Sequence, residues 1–401
     1  MDADRAAVRL RPARLVWMAS GALPLVFLLV FYFYPLLEIL RVSLWPEGGF
    51  SVEPLRGLLV GGYLLRLAGF SAWQALLSTL LTLLAGLPMA YVFARYRFRG
   101  KTILRALATV PFVLPTVVVA AAFGVLLGPN GVINAALQSL LGLAEPPLRL
   151  QGTLSLILLA HVFYNLTVVL RIVGGLWSHL DPSLEEAAVV LGASRARVWR
   201  EVTLPLLFPA IGAAALLVFL FTWTAFGTVL ILGGPRFATI EVEIYRQALE
   251  VFNLPVAAVL SLLQIAASVA LTVVYTRLQA RTAVSLNLRP ESAVERPPAR
   301  LGQRLFVGGV VLAMLVLLLA PLLALVVRSL TVAGRWSFEW YRLLGENRGN
   351  SYFFVPPAGA MRNSLLVAGA TTILALAIGL PAAYLLLRPR GRLQALVDPI
   401  F

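Results

Sequence analysis

Long apolar runs separated by short polar connectors, most of them bearing arginines, make up almost the whole chain. The runs fall near residues 15–34, 70–94, 107–127, 152–176, 207–232, 255–276, 305–328 and 364–387. Each comes close to the roughly 20 apolar residues that carry an α-helix across a bilayer. A barrel strand would instead alternate apolar and polar residues over about ten positions, which these runs do not do. The pattern predicts an all-α, polytopic membrane protein with about eight transmembrane helices. Arg5, Arg9, Arg11 and Arg14 ahead of the first run suggest a cleaved leader. The apolar stretch is too long for one and no small-residue cleavage site follows, so it is read as a retained span.

Composition agrees with this reading. Hydrophobic residues make up 60% of the chain, charged residues 13%, and the mean hydropathy is +0.88; a soluble chain of 401 residues would need far more polar surface. The absence of cysteine excludes disulfides, thiol catalysis and cysteine metal sites. A net charge of +15 is compatible with nucleic-acid binding, but the arginines gather in short loops beside the spans, where they set topology. The N-terminus, then Arg95, Arg97, Arg99, Lys101 and Arg105, then Arg195, Arg197 and Arg200 fall on one side. Arg277 through Arg304 and Arg388, Arg390 and Arg392 join them, whereas the intervening loops mix both signs. The positive-inside rule places the N-terminus and the 181–210 loop in the cytoplasm.

The two halves of the chain repeat. "YPLLEILRVSLW" at 34–45 matches "APLLALVVRSLT" at 320–331, and "LAGLPMAYVFARYR" at 83–96 matches "LAIGLPAAYLLLRPR" at 376–390. Two blocks in the same order indicate a duplicated transporter architecture. Residues 1–276 are expected to form a first transmembrane domain, 277–304 (rich in arginine and proline) a cytoplasmic linker, and 305–401 the start of a second domain. Pro399 falls opposite Pro111, and nothing in the second copy corresponds to spans three to six. The second copy is therefore expected to be incomplete and the natural chain longer.

The connector "DPSLEEAAVVLGASRARVWREVTLPLLFPA" at 181–210 is too polar to span and too patterned to be a plain loop. Asp181 suits an N-cap, Pro182 the first helical position, and Glu185 and Glu186 the positive end of the dipole. Leu184, Ala187, Ala188 and Leu191 share one narrow apolar face, and Gly192 suits the residue that ends a helix. Ser194 is placed to cap a second short helix with Val198, Trp199 and Val202 along one side, which Pro205 is expected to close. Two short amphipathic helices about a glycine hinge fit either a groove on another protein or the headgroup layer.

This stretch resembles the EAA loop of binding-protein-dependent ABC transporter permeases. Glu186-Ala187-Ala188, Gly192, Val202 and Leu204-Pro205 keep every spacing of that motif. The resemblance implies a duplicated six-helix permease domain in a bacterial or archaeal inner membrane. It also implies that the loop docks into a separate ATPase subunit, present in two copies, with Glu186 holding polar partners and Gly192 permitting the turn. ATP and Mg²⁺ then belong to that partner. The chain itself is expected to be no enzyme, with no catalytic residue, metal site or cofactor. "RGKT" at 99–102 is not a P-loop, because Arg95 stands where the pattern needs glycine and a membrane helix precedes it in place of a strand.

Permeases with both halves in one chain resemble importers of thiamine, ferric iron and some phosphonates or polyamines. The stretch "TAFGTVLILGGPRFATIEVEIYRQAL" at 224–249 is similar to the thiamine and iron branch, which makes those two solutes the first expectations. It is expected outside the membrane, where Glu241, Glu243 and Glu250 would meet a periplasmic or lipid-anchored binding protein. Within the spans, His161, Asn165 and Gln264 are candidates for the translocation path, or else for hydrogen bonds between helices. Arg171 is expected to snorkel toward the headgroups of the surrounding lipid. An ion-coupled secondary transporter is the alternative, disfavoured because no carboxylate lies in a predicted span.

Overall fold

The structure is a computed structural model that describes residues 23–45, 48–282, 290, 294–332, 334–347 and 355–387. The arginines at 5–14 and 388–392, Pro399, most of the linker between 283 and 293, and the first part of span one lie outside the described residues. The helices run α1 (Leu23–Leu44), α2 (Glu53–Leu59), α3 (Tyr63–Arg95), α4 (Lys101–Val113), α5 (Thr116–Leu127) and α6 (Val132–Leu141). They continue as α7 (Leu154–Trp177), α8 (Ser183–Val190), α9 (Arg195–Val198), α10 (Leu204–Trp223), α11 (Gly227–Gly233) and α12 (Ile240–Tyr245). Last come α13 (Leu254–Thr282), α14 (Leu301–Ser329), a two-stranded ribbon (Thr331–Val332 with Arg335–Trp336), α15 (Glu339–Leu343) and α16 (Pro357–Leu387). Eight helical stretches among the described residues are long and apolar enough to cross a membrane, as the hydropathy pattern predicts.

Two compact units emerge, one of residues 43–331 and the other of 1–42 with 332–401. In the second unit, α16 is an apolar helix with most of its side chains exposed, as a lipid-facing helix has. The first unit holds the core. There α3 and α7 lie side by side, joined through Ala90, Ala94, Val169 and Val173, with α10 closing the group through Leu207, Ala214 and Val218. Small residues set this close approach, as in other membrane bundles. A Cβ on Gly86 would sit 2.8 Å from Cβ and Cγ1 of Val169. Gly86→Ala is accordingly expected to destabilise the α3–α7 pair by about 1–3 kcal/mol, measured as a lower thermal midpoint of the purified protein.

Two predicted spans are broken. The run 107–127 divides at Leu114–Pro115 into α4 and α5, because Pro115 lacks an N–H and holds Leu114 extended (ψ 136°). The run 207–232 divides at Thr224–Phe226 into α10 and α11. The broken ends meet, since a Cβ on Gly227 would lie 2.6 Å from Thr116 Oγ1. The freed carbonyls at the end of α10 are taken up by side chains: Gln74 Nε2 donates to Thr222 O (3.0 Å) and Gln264 Nε2 to Trp223 O (3.4 Å). Away from water, a helix can break only where such donors replace its own.

The expected linker at 277–304 is partly structured. Helix α13 runs on to Thr282, and the segment from Val294 docks against the turn between α3 and α4. Arg296 N–H donates to Arg95 O (3.1 Å), Arg97 N–H donates to Arg296 O (3.1 Å), and the Arg296 guanidinium lies over the Tyr96 ring. Glu295 forms a buried ion pair with Lys101. Beyond it α14 packs on α5 and α3, with Met314 and Leu318 buried beside Val119 and Phe123. The compact unit thus crosses the boundary drawn at 276–305 and includes the first helix of the second repeat.

Candidate functional site

The 181–205 connector folds as two helical pieces about Gly192. Asp181 Oδ1 accepts from Ser183 N–H (2.9 Å), so the aspartate starts α8 through an Asx turn with Pro182 as the capping position. Leu191 caps the other end and Gly192 follows at φ 87°. Ala193 N–H donates to Ala188 O (3.0 Å) and Gly192 N–H to Val189 O (2.9 Å), the paired bonds of a Schellman turn. Ser194 caps the next piece, accepting from Arg197 N–H at 3.4 Å. Pro205 does not close that piece. Residues 199–203 form a wider π-helical turn that carries the chain without a stop from α9 into α10. The wider turn accommodates a proline that can neither donate nor sit under a regular α-helical carbonyl.

An ion pair between a buried arginine and a half-buried glutamate holds this loop to the bundle. Arg95 Nη2 meets Glu185 Oε1 at 2.6 Å, with the Arg95 side chain only 6% exposed, and Arg95 Nη1 reaches Leu180 O at 3.5 Å. Thr203 Oγ1 donates to the same Glu185 oxygen at 2.9 Å. The motif glutamate, Glu186, is exposed, and so are Ala187 and Gly192, while Ala188 is partly covered. Val202 and Leu204 are half-buried at the root of α10, and Pro205 is exposed. The outer edge is apolar: Val190 is 86% and Leu191 87% exposed, and Leu184 and Val189 stand beside them. Sequence reasoning singled out Glu186 and missed Glu185, whose role depends on the arginine 90 positions earlier.

Two cavities follow the facing sides of α4 and α7. At the loop end a cavity of about 530 Å³ is lined by Arg105, Arg171, Thr109, Ser178 and His179. Deeper, at the two helix breaks, a cavity of about 270 Å³ is lined by Phe112, Tyr164, Phe221 and Phe226 together with His161 and Asn165. His161 is 2% exposed; its Nδ1 hydrogen-bonds Ser78 Oγ at 2.9 Å, and its Nε2 has no protein partner. Asn165 Nδ2 donates to His161 O (2.9 Å). The structure brings these two candidates together. Gln264 lies apart from them, bonded to Trp223 O and to Glu241 Oε1 (3.1 Å).

The 224–250 segment also departs from expectation. It folds back into the bundle: Ile240 N–H donates to Ser71 Oγ (3.0 Å), and α12 packs on α13. Glu243 is 1% exposed and accepts from Gln247 Nε2 (2.6 Å). Glu241 is half-buried; burial pushes its carboxyl above the usual range, and the bond from Gln264 opposes this only in part. Glu250 alone of the three is exposed, with Arg246 Nε 4.0 Å away. Glu243 therefore faces the bundle rather than the protein surface. The hydropathy pattern hid this because α12 is too short and too acidic to stand out as a packed helix.

The structure is thus an all-α bundle of broken membrane helices with a tethered two-helix connector at one end. The family described as "Binding-protein-dependent transport system inner membrane component" matches residues 82–284, and the chain belongs to it. It is a multi-pass inner-membrane protein. The chain is 35% identical over 269 residues to the thiamine transport system permease protein ThiP of Escherichia coli (strain K12), covering 66% of this chain and 49% of that protein. It thus spans about half the length of that relative. It is 28% identical to a putative 2-aminoethylphosphonate transport system permease protein, PhnU, of Salmonella paratyphi A, over 70% of this chain and 96% of that one. Its fold matches a bacterial ABC transporter involved in the import of the acidic polysaccharide alginate, with a TM-score of 0.57 at 17% identity, covering 70% of this chain and all of that one.

Proposed function

We infer that this chain is the permease of an ATP-driven importer, in which a separate ATPase, in two copies, docks on the 181–205 loop. A binding protein would deliver thiamine to the opposite end. The observation that carries this is the loop itself: an apolar edge at Leu184, Val190 and Leu191, exposed where no span needs it, on a helix anchored by a buried arginine. An exposed apolar edge of that kind marks a partner surface. The arginine distribution puts the loop, and with it the N-terminus, in the cytoplasm. ATP and Mg²⁺ reside in the partner. Its closure would pull on α8, and the Arg95–Glu185 pair would pass the movement to α3 as a rigid-body step between inward-open and outward-open states.

Co-purification with the ATPase encoded beside the permease tests the reading. Gly192→Trp, which cannot hold φ 87°, and Glu186→Lys are expected to lower recovery of the ATPase at least tenfold. Undiminished recovery in both would refute the docking assignment. The buried Glu243 favours one second reading, an ion-coupled carrier. Proteoliposomes separate the two: thiamine uptake should need internal or external ATP with the ATPase and persist after an ionophore collapses the ion gradients.

A further inference from the structure

The cavity at the two helix breaks has a composition that selects among solutes. Four aromatic side chains line it, and it holds no aspartate, glutamate, lysine or arginine. Its polar groups are neutral: His161 with its buried, unpartnered Nε2, Asn165, and hydroxyls at Thr116, Thr224 and Thr228. Phe112 and Phe221 stand 5.7 Å apart at a tilt, and Phe112 is half exposed, so the cavity opens along that side. Discontinuous helices build solute sites in other transporters because their ends leave backbone and side-chain polar groups facing a cavity.

A compact charge is disfavoured here. A phosphonate would meet no cationic donor, a polyamine ammonium no carboxylate, and ferric iron too few oxygen ligands, so each would be desolvated without compensation. Among the described residues no group of three His, Cys, Asp or Glu side chains stands ready for a metal ion. A planar ring whose positive charge is spread over the heterocycle differs, since it loses less hydration and interacts with ring faces directly. Such a ring also carries nitrogen or amino groups that suit His161 Nε2 and Asn165.

We propose that this cavity is a resting site within the permease for a heteroaromatic cation, held by the faces of Phe112, Tyr164, Phe221 and Phe226 and hydrogen-bonded at His161. The proposal rests on the thiamine reading above and adds to it a place in the membrane where the solute pauses, with its chemical class. Specificity would then be checked a second time, after the binding protein has released its load.

The test uses the full chain with its ATPase in lipid nanodiscs, without the binding protein. Binding is measured for thiamine, for spermidine (a polyamine whose ammonium charges are compact) and for 2-aminoethylphosphonate. Thiamine is expected to bind at least tenfold more tightly than either. Tyr164→Leu and Phe221→Leu should each weaken thiamine about fivefold to tenfold, while Tyr164→Phe, which keeps the ring, should stay within twofold of the parent. His161→Gln, which keeps a hydrogen-bonding group, should lose less than His161→Leu. Absence of thiamine binding by the parent, equal binding of spermidine, preference for 2-aminoethylphosphonate, or unchanged affinity in both leucine variants would each overturn the site. Thiamine uptake by the complete system distinguishes the two failures. If uptake persists while the site fails, the thiamine reading stands; if uptake itself is absent, that reading falls.

Discussion

Glu185→Ala is expected to cut solute uptake at least tenfold while the partner ATPase still binds. In the folded protein the Arg95 guanidinium is buried at the foot of α3 and Glu185 is the carboxylate that compensates it. Removing the carboxylate leaves the Arg95 guanidinium with a long contact to Leu180 O at 3.5 Å, a loss of about 3 kcal/mol for a stranded charge. The outward edge of α8 is untouched by this change, because Leu184, Val190 and Leu191 lie on the other face. Docking and transmission should therefore separate: the ATPase is recovered, yet hydrolysis is no longer stimulated by the loaded binding protein. A double replacement, Arg95→Met with Glu185→Met, removes the stranded charge and should restore the thermal midpoint without restoring uptake. Full uptake by Glu185→Ala would show that the pair transmits nothing.

The loop shows how far sequence reading reaches. Its caps and hinge depend on neighbours within a few residues, so Asp181, Gly192 and Ser194 were legible from residue type and spacing alone. Its tether was not, because Arg95 and Glu185 meet only through tertiary structure, and nothing local marks Glu185 above Glu186. Pro205 misled for the same reason. A proline stops an isolated helix, but here the bundle imposes a continuous path and a π-helical turn absorbs it.

The spans repeat this contrast. Their number and approximate places follow from hydropathy, which is a local property. The break at Pro115 was visible in principle as a pre-proline constraint, whereas "FTWTAFG" at 221–227 contains no breaker before Gly227. There the chain departs from helix because Gln74 and Gln264, on other helices, satisfy the carbonyls it frees. Glu241 and Glu243 were assigned to an outer loop by polarity. Glu243 is buried and Glu241 half-buried, because Gln247 and Gln264 supply the hydrogen bonds that make this tolerable. Hydropathy averages over residues and cannot register a polar group paired across the bundle.

Lys101→Met is expected to produce the largest loss of stability of any single replacement in the connector region. Lys101 is the only lysine of the chain, and its side chain and that of Glu295 are 10% and 13% exposed. Breaking a pair so buried by removing one partner costs about 3–5 kcal/mol, because the other charge stays behind without water. Glu295→Met should also destabilise, and by less, because Lys101 has a further interaction to fall back on. The double variant Lys101→Met/Glu295→Met should recover most of the loss, since two apolar side chains of similar length need no compensation there. The thermal midpoint of the purified protein reads all three. The pair also fixes where Arg296 crosses the turn between α3 and α4, next to Arg95. Its rupture should free that strand contact and speed tryptic cleavage after Arg300, which precedes α14. Equal destabilisation by the single and double replacements, with unchanged cleavage, would show that packing around the site and not the ion pair clasps the segment. If the cycle comes out as expected, the same short turn holds the 181–205 loop through Arg95 and the start of the second repeat through Lys101. A movement of the loop would then reach α14 through two ion pairs six residues apart, without passing through the membrane core.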